Sequence, residues 1–352
     1  MNLDDAAAFR DLDPERMIAQ IDGLPNQLER AYQLGERLEL PQMPGLKAVY
    51  LAGVGGSAIG ADLAAACLSP ACLVPLVVGR GYDLPGWARG NETLVILSSH
   101  SGNTEETLAC LEAASSSGCR ILAITTGGTL ALAAEQAGAT VWQFAHGHAP
   151  RSAVGFSYGL IHSALFRLGL VNDPSKMVHD ALHDLRDSQS QWMAGVPVAL
   201  NPAKRMAGQL VGRNVVVFGA DILSPVARRW KGQINEMAKA WAQSEELPEA
   251  DHNLLAGLEN PEAGLTRLAV VFLRAAGNHP RNRLRLDLTR EIFMEQGINT
   301  DKFTARGDHP FAQQWTALLF GDYTAYYLAM AYGVDPTPVP ALEYLKTTLS
   351  EA

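Results

Sequence analysis

The sequence predicts an α/β protein with two doubly wound domains, each a mostly parallel sheet flanked by helices. Three observations predict it. Short apolar runs without polar alternation recur along the chain, as strands covered on both faces require. Patterns of helical length separate those runs, which is the alternation that builds a parallel sheet. The series then occurs a second time, after a stretch that reads as helix.

In order, residues 13–37 read as one helix. Asp13-Pro14 places an N-cap before a proline at the first helical position, and Ile18, Ile21, Leu28, Leu34 and Leu38 recur at loosely helical spacing. Strands are expected at 48–52, 73–78, 94–97, 121–124 and 140–144, with helices at 58–68, 104–117 and 130–137. Residues 155–210 are mostly helical. The second series runs from NVVVFG (214–219) through a helix over 224–243, a strand at 267–274, a helix near 281–296 and a short strand near 298–304. FAQQWTALLFGDYTAYYLAMAYG supplies the last long helical stretch, and the tail becomes a proline-rich turn and a short helix. The expected division is 1–45 (N-terminal helical segment), 46–170 (first domain, phosphate-binding), 171–210 (helical connection), 211–335 (second domain) and 336–352 (tail helix). The acidic SEELPEAD reads as a solvated turn, and RNRLRLDLTR as the charged face of a helix.

Bulk properties narrow the function. The net charge of −9 argues against nucleic acid or an anionic membrane as partner, while leaving a small phosphorylated ligand open. No apolar window is long enough to span a bilayer, and the acidic N-terminus has neither a basic n-region nor an apolar h-region. Cys67, Cys72, Cys110 and Cys119 form no CxxC pair and read as buried, reduced thiols of a cytoplasmic protein.

Two loops carry the chemistry. LAGVGGSAIGADL, after the first strand, matches GxGxx[G/A] at Gly53, Gly55 and Ala58. A dinucleotide fold also wants a carboxylate at the end of the next strand, where Gly79 and Arg80 stand instead. No nicotinamide cofactor is therefore expected. The second loop is SSHSGNT (98–104). Asn103 as N-cap with Glu106 three residues on would form a capping box. That leaves Ser99, Ser101 and Thr104 clustered at a helix N-terminus, where free N–H groups and the helix dipole favour an anion. Gly102 lets the backbone approach closely, so the loop is expected to hold a phosphate.

SxSGNTxET after a strand, with GxGGSAxGADL upstream, resembles the sugar isomerase (SIS) domain. Two such domains over this length are similar to the bifunctional phosphoglucose/phosphomannose isomerases. The resemblance implies two SIS-type domains, no cofactor, and a sugar phosphate held by Gly56, Ser57, Ser99, Ser101 and Thr104. An aromatic is usual where this chain has His100, which stays without a role. The expected reaction interconverts glucose 6-phosphate and/or mannose 6-phosphate with fructose 6-phosphate through a cis-enediol(ate).

That reaction needs a base to move a proton between C1 and C2, a cation to stabilise the enediolate, and an acid–base pair to open the ring. Glu236, in RWKGQINEMAKAWA, is the candidate base. Val226, Trp230, Ile234, Met237 and Trp241 form the apolar stripe of its helix, and its i±4 neighbours Gly232 and Ala240 leave its flank nearly bare. The plainer reading pairs Glu236 with Lys239 on a solvated face. NExxKxWA…HN resembles the family's catalytic glutamate segment. The resemblance also implies that His252 and Lys346 open the ring, that His252 is donated by the neighbouring subunit of a homodimer, and that Arg151 stabilises the enediolate. His146 and His148 lack the further ligands of a metal site. Two alternatives stand beside the isomerase: a non-catalytic SIS-fold sugar-phosphate-binding protein, and an isomerase of another phosphosugar, such as an amino-sugar phosphate. The resemblance implies that mannose competence depends on small pocket differences, including a threonine near the C-terminus, which the sequence does not place among Thr337, Val339 and their neighbours.

Overall fold

Val49, Leu51, Leu94, Ile96 and Leu122 are all but sealed from solvent, on strands that carry helices on both faces. That is why these runs show no polar alternation. The structure is a computed structural model and describes residues 2–351. Five parallel strands, β1 (Ala48–Ala52), β2 (Leu76–Gly79), β3 (Thr93–Ser99), β4 (Arg120–Thr125) and β5 (Thr140–Gln143), form a sheet of order β2-β1-β3-β4-β5. Four more, β6 (Asn214–Ala220), β7 (Ala242–Leu247), β8 (Leu268–Arg274) and β9 (Asn299–Thr304), form a second parallel sheet of order β7-β6-β8-β9. The expected fold class is borne out. The chain divides into two units, one of Gly23–Leu185 with Gly307–Gln314, the other of the chain up to Asp22, Arg186–Arg306 and the chain from Trp315.

In the first unit, helices Glu105–Ser116 and Gly128–Gln136 cover one face of the sheet, burying Leu97, Cys110, Leu111, Ala123 and Leu130. Helix Val154–Arg167 packs against Leu24–Arg37 and Gly55–Leu68. Its contact with Leu24–Arg37 runs along small residues. A Cβ on Gly159 would lie 2.6 Å from the Ala31 Cβ, and one on Gly35 would lie 2.4 Å from the Ser163 Cβ. Gln27 closes one end of that seam: its amide donates to the Ser152 carbonyl (2.7 Å) and accepts from the Gly155 N–H (2.7 Å). Arg167 closes the other, donating to the Gly35 and Leu38 carbonyls. Backbones this close leave no room for side chains, so the seam is fixed by composition at i, i+4 and i+8.

In the second unit, Phe218 and Phe272 stack at 4.9 Å with Phe293 against them. Helix Ser224–Ala238 is tied to helix Pro310–Tyr332 by a buried ion pair. Arg229 donates to both Asp322 oxygens (3.0 and 2.7 Å), and Gln233 donates to one of them (3.0 Å). Breaking such a pair from one side costs about 3–5 kcal/mol, because the remaining charge stays buried. Trp230, on the same helix, fits where Gly321 has no side chain and donates to the Ala317 carbonyl (2.9 Å).

Four local expectations are corrected. Residues 13–37 are two helices, Met17–Asp22 and Leu24–Arg37. Asp13 caps the first of them, accepting from Met17 N–H (2.6 Å) and Ile18 N–H (2.9 Å), and Arg16 has a positive φ of 56°. The helix expected to reach 243 ends at Ala238, with Lys239 left-handed at φ 53°. The acidic segment then forms edge strand β7, pairing Ala242–Leu247 with Val215–Ala220, and Trp241 is 67% exposed instead of extending the apolar stripe. All four cysteines are free thiols, but only Cys110 is buried.

The small-residue seam makes a prediction. Gly159→Ala drives a methyl into Ala31 and should destabilise the protein by about 1–3 kcal/mol. Gly232→Ala, where an added Cβ meets nothing within 4 Å, should be neutral or stabilising by about 0.5–1 kcal/mol. Chemical denaturation of both variants checks this, and equal stabilities would contradict it.

Candidate functional site

Because β1 pairs with β2 on one side and β3 on the other, successive connections leave β1 and β3 in opposite directions. This reversal opens a crevice at the carboxyl ends of the two strands, the place where open α/β sheets bind ligands. The two loops singled out from the sequence lie there: the glycine-rich turn into helix Gly55–Leu68 after β1, and the hydroxyl loop into helix Glu105–Ser116 after β3. Both helices point their N-termini into it, so unpaired first-turn amides and two helix dipoles converge where an anion would sit.

The hydroxyls are preorganised. Ser99 Oγ lies 2.9 Å from Thr104 Oγ1 and accepts from the Gly102 N–H at 3.1 Å. Ser101 Oγ accepts from the Asn103 N–H (3.2 Å), and Ser57 Oγ from the His100 N–H (3.2 Å), which joins the two loops. Gly102 has φ 69°, and a Cβ there would lie 1.8 Å from the Gly127 carbonyl oxygen, so no other residue fits. The loop after β4 holds the hydroxyl loop from outside: Thr126 donates to the His100 carbonyl through N–H (3.2 Å) and Oγ1 (2.6 Å). The capping-box expectation is corrected here. Thr104 occupies the N-cap position, and Asn103 Oδ1 accepts from the Thr129 N–H (3.0 Å) at the start of the neighbouring helix.

Arg151 joins this group. A Cβ on Gly56 would lie 2.9 Å from the Pro150 carbonyl oxygen and 3.2 Å from the Arg151 Cα, so the glycine-rich turn backs directly onto the short 3₁₀ turn Pro150–Ser152. Arg151 is buried. A histidine pair that the sequence does not reveal links the hydroxyl loop to this turn: His100 Nε2 is 2.9 Å from His146 Nδ1, with the rings at 87°, and His146 Nε2 is 3.4 Å from Ser152 Oγ. Burial holds His100 below its usual value. It holds His146 down to about 4, helped by His100, His148 and Arg30 nearby. The sequence marks out His100 in the hydroxyl loop and, separately, His146 beside His148, but nothing in it joins the two.

In the second unit, Glu236 is half-buried on helix Ser224–Ala238, the helix anchored through Arg229 and Asp322. The Lys239 ammonium donates to the Glu236 backbone carbonyl (2.6 Å) and so caps the helix end. His252 is exposed at the end of the 3₁₀ turn Glu249–His252, whose Asp251 is held by Arg285 (3.0 Å) and Thr289 (2.8 Å). Lys346 is exposed on helix Pro340–Ser350. The first unit therefore brings Gly56, Ser57, Ser99, Ser101, Thr104 and Arg151 together, while Glu236, His252 and Lys346 stand on separate elements of the second.

The second sheet has the same strand reversal, between β6 and β8, but fills it from within. Asp221, at φ 50°, accepts from the His279 N–H (2.8 Å) at the N-cap of helix Pro280–Glu295 and from Asn282 Nδ2 (2.8 Å). An internal carboxylate takes the anion's place there, whereas the first sheet offers hydroxyls. Among the described residues no group of three or more His, Cys, Asp or Glu side chains could hold a metal ion, and no helix is long and apolar enough to cross a membrane.

Residues 199–349 match the family model of the bacterial phospho-glucose isomerase C-terminal SIS domain. The chain is 34% identical to a bifunctional phosphoglucose/phosphomannose isomerase of Caldicellulosiruptor bescii, over 95% of this chain and 99% of that protein. It is 30% identical to the protein of the same name from Aquifex aeolicus, over 87% and 91%. The solved structure of a hypothetical protein from Thermus thermophilus superposes with a TM-score of 0.75 at 17% identity, covering 98% of this chain and 93% of that one, and it shares the fold.

The neutral imidazoles predict an acid-sensitive fold. His146 and the buried His162, beside the Tyr32 hydroxyl, are both held down to about 4. In the unfolded chain they take up protons near pH 6.5, so stability is complete above about 6.5 and declines as pH falls towards 4. Melting curves across that range should show Tm falling with acid, and His146→Asn should flatten the slope. A Tm independent of pH would contradict the assignment.

Proposed function

The chain belongs to the bifunctional phosphoglucose/phosphomannose isomerase family, and on that premise we propose that it interconverts glucose 6-phosphate and/or mannose 6-phosphate with fructose 6-phosphate. The observation that carries the reading is the hydroxyl-lined crevice at the strand reversal of the first sheet. Its donors suit a phosphate dianion, and they are neutral, so no lysine has to be desolvated to hold it. The whole-length identity to named isomerases supplies the reaction class.

In this reading Ser57, Ser99, Ser101 and Thr104 and the backbone at Gly56 hold the phosphate. The Glu236 carboxylate takes the proton from C2 of the open-chain aldose and returns it to C1; in the reverse direction it takes the proton from C1 of the ketose. The half-buried position of Glu236 and the bare flank at Gly232 support that assignment. Arg151 stabilises the cis-enediolate with a charge that is never lost to deprotonation. Ring opening requires a proton from the anomeric hydroxyl and one onto the ring oxygen. His252 and Lys346 carry these transfers, with His252 donated in trans across a homodimer. Their exposure on this chain's surface is compatible with service to a second copy. Chemistry of this kind belongs to glycolysis and gluconeogenesis, in the cytoplasm.

A coupled assay tests the reading, with fructose 6-phosphate offered to the purified protein and both aldose phosphates followed. Glu236→Gln should lower kcat by about 10²–10⁴-fold, the worth of a positioned base, and leave phosphosugar binding largely intact. Wild-type turnover in that variant would remove Glu236 as the base. A wild type that forms neither aldose would favour a binding protein or another phosphosugar.

A further inference from the structure

His100 and His146 are not among the residues the proposed reaction uses, yet they stand between two groups that it does use. His100 lies inside the hydroxyl loop, between Ser99 and Ser101, and its N–H is taken by Ser57 Oγ. His146 lies in the segment after β5 that leads into the Pro150–Ser152 turn. The imidazole–imidazole bond of 2.9 Å links the two segments. Phe144 and Phe156 stack at 4.8 Å beside the pair, with centroids 6.1 Å from the His100 and His146 rings respectively, and leave it a largely apolar wall.

The hydrogen bonds run in one direction. Ser152 Oγ donates to the Ala149 carbonyl at 2.8 Å, so it is an acceptor towards His146 Nε2, 3.4 Å away. His146 then carries its proton on Nε2 and accepts at Nδ1, which makes His100 Nε2–H the donor. The line therefore passes from the hydroxyl loop through both rings to Ser152, the residue after Arg151. Gln27 grips the same turn through the Ser152 carbonyl, so the turn is held from two sides. The other titratable groups near the pair are His148, with its ring 5.5 Å from that of His146, and Arg30 of helix Leu24–Arg37. Both oppose a proton on His146, whereas a hydrogen bond to the His146 backbone favours one on His100 against the effect of burial.

We propose that His100 and His146 are positioning residues: their hydrogen bond locks the phosphate-holding loop to the turn that carries Arg151, and so couples capture of the phosphate to placement of the guanidinium. This rests on the isomerase reading above. It predicts that severing the link changes both functions, and that either ring alone is worth nothing to the lock.

A double-mutant cycle tests it, using the full-length protein with His100→Phe, His146→Phe and the double variant. Inorganic phosphate binding is measured by calorimetry, and kcat and KM are measured with fructose 6-phosphate. Phenylalanine keeps the ring packing; at position 100 it removes the bond between the two rings, and at position 146 it also removes the contact with Ser152 Oγ. Each single variant should weaken phosphate binding and lower kcat by about fivefold to tenfold, the worth of one hydrogen bond, and the double variant should be no worse than either single one. His100→Gln, which can present an N–H near the place of Nε2, should recover most of the loss and serves as the second variant if His100→Phe does not fold. In acid, the wild type should lose phosphate affinity as the pair gains protons, and the double variant should lose less. Additive losses, unchanged phosphate binding, or no recovery with glutamine would overturn the proposal. An inactive wild type that still shows the non-additive phosphate cycle would overturn the isomerase reading and keep the lock between the loops.

Discussion

The molecule depends on one constraint: β1 must pair in parallel with both β2 and β3. Once it does, the connections after β1 and β3 diverge, and two helix N-termini face a crevice that the chain cannot fill with a third connection. Everything specific to the first sheet is a response to that opening. Gly102 and Gly56 let backbone come close, Ser57 bridges the two loops, and the loop after β4 braces the hydroxyls from outside. The second sheet meets the same constraint differently, with Asp221 accepting the N–H groups that an anion would otherwise take. One topology thus leaves a hydroxyl-lined crevice in one sheet and an internal carboxylate in the other.

Rigidity around the site comes from packing without slack. The seam of Gly155, Gly159 and Ser163 against Gln27, Ala31 and Gly35 holds the helix after the Arg151 turn at backbone contact distance. Gln27 belongs both to that seam and to the hydrogen bonds of the turn, so core packing and the placement of Arg151 are one arrangement. The helix of Glu236 is held comparably, through the buried Arg229–Asp322 pair and Trp230 seated over Gly321. Such anchoring keeps a functional group within the small displacement that proton transfer tolerates.

What the sequence reveals follows from how local each feature is. The inner strands of the first sheet, β1, β3 and β4, are legible because burial on both faces removes polar residues, and its edge strands β2 and β5 because their partly exposed positions still hold mostly apolar residues. Strand β7 is not, because an edge strand is half-wet and can carry Glu245 and Glu246, which read as a turn. The hydroxyl loop is legible as an anion site from Ser99, Ser101, Gly102 and Thr104 alone. Its capping is not, since the partner of Asn103 is Thr129, on another helix. His100 could be noticed but not explained, because its meaning lies in His146, 46 residues away. Gln27 gave no signal at all, being 125 residues from the carbonyl it holds. The roles proposed for Glu236, His252 and Lys346 come through resemblance, since nothing in their spacing implies a common task.

The proposed reaction moves a proton between adjacent carbons of a phosphosugar through an enediolate. Incubation with fructose 6-phosphate in deuterium oxide, followed by proton NMR, addresses it most directly. Glucose 6-phosphate, mannose 6-phosphate or both should accumulate with deuterium at C2, because the proton resides on a carboxylate that exchanges with solvent before it returns. Aldose phosphate that stays free of deuterium through many cycles of reversible turnover would contradict the role given to the carboxylate.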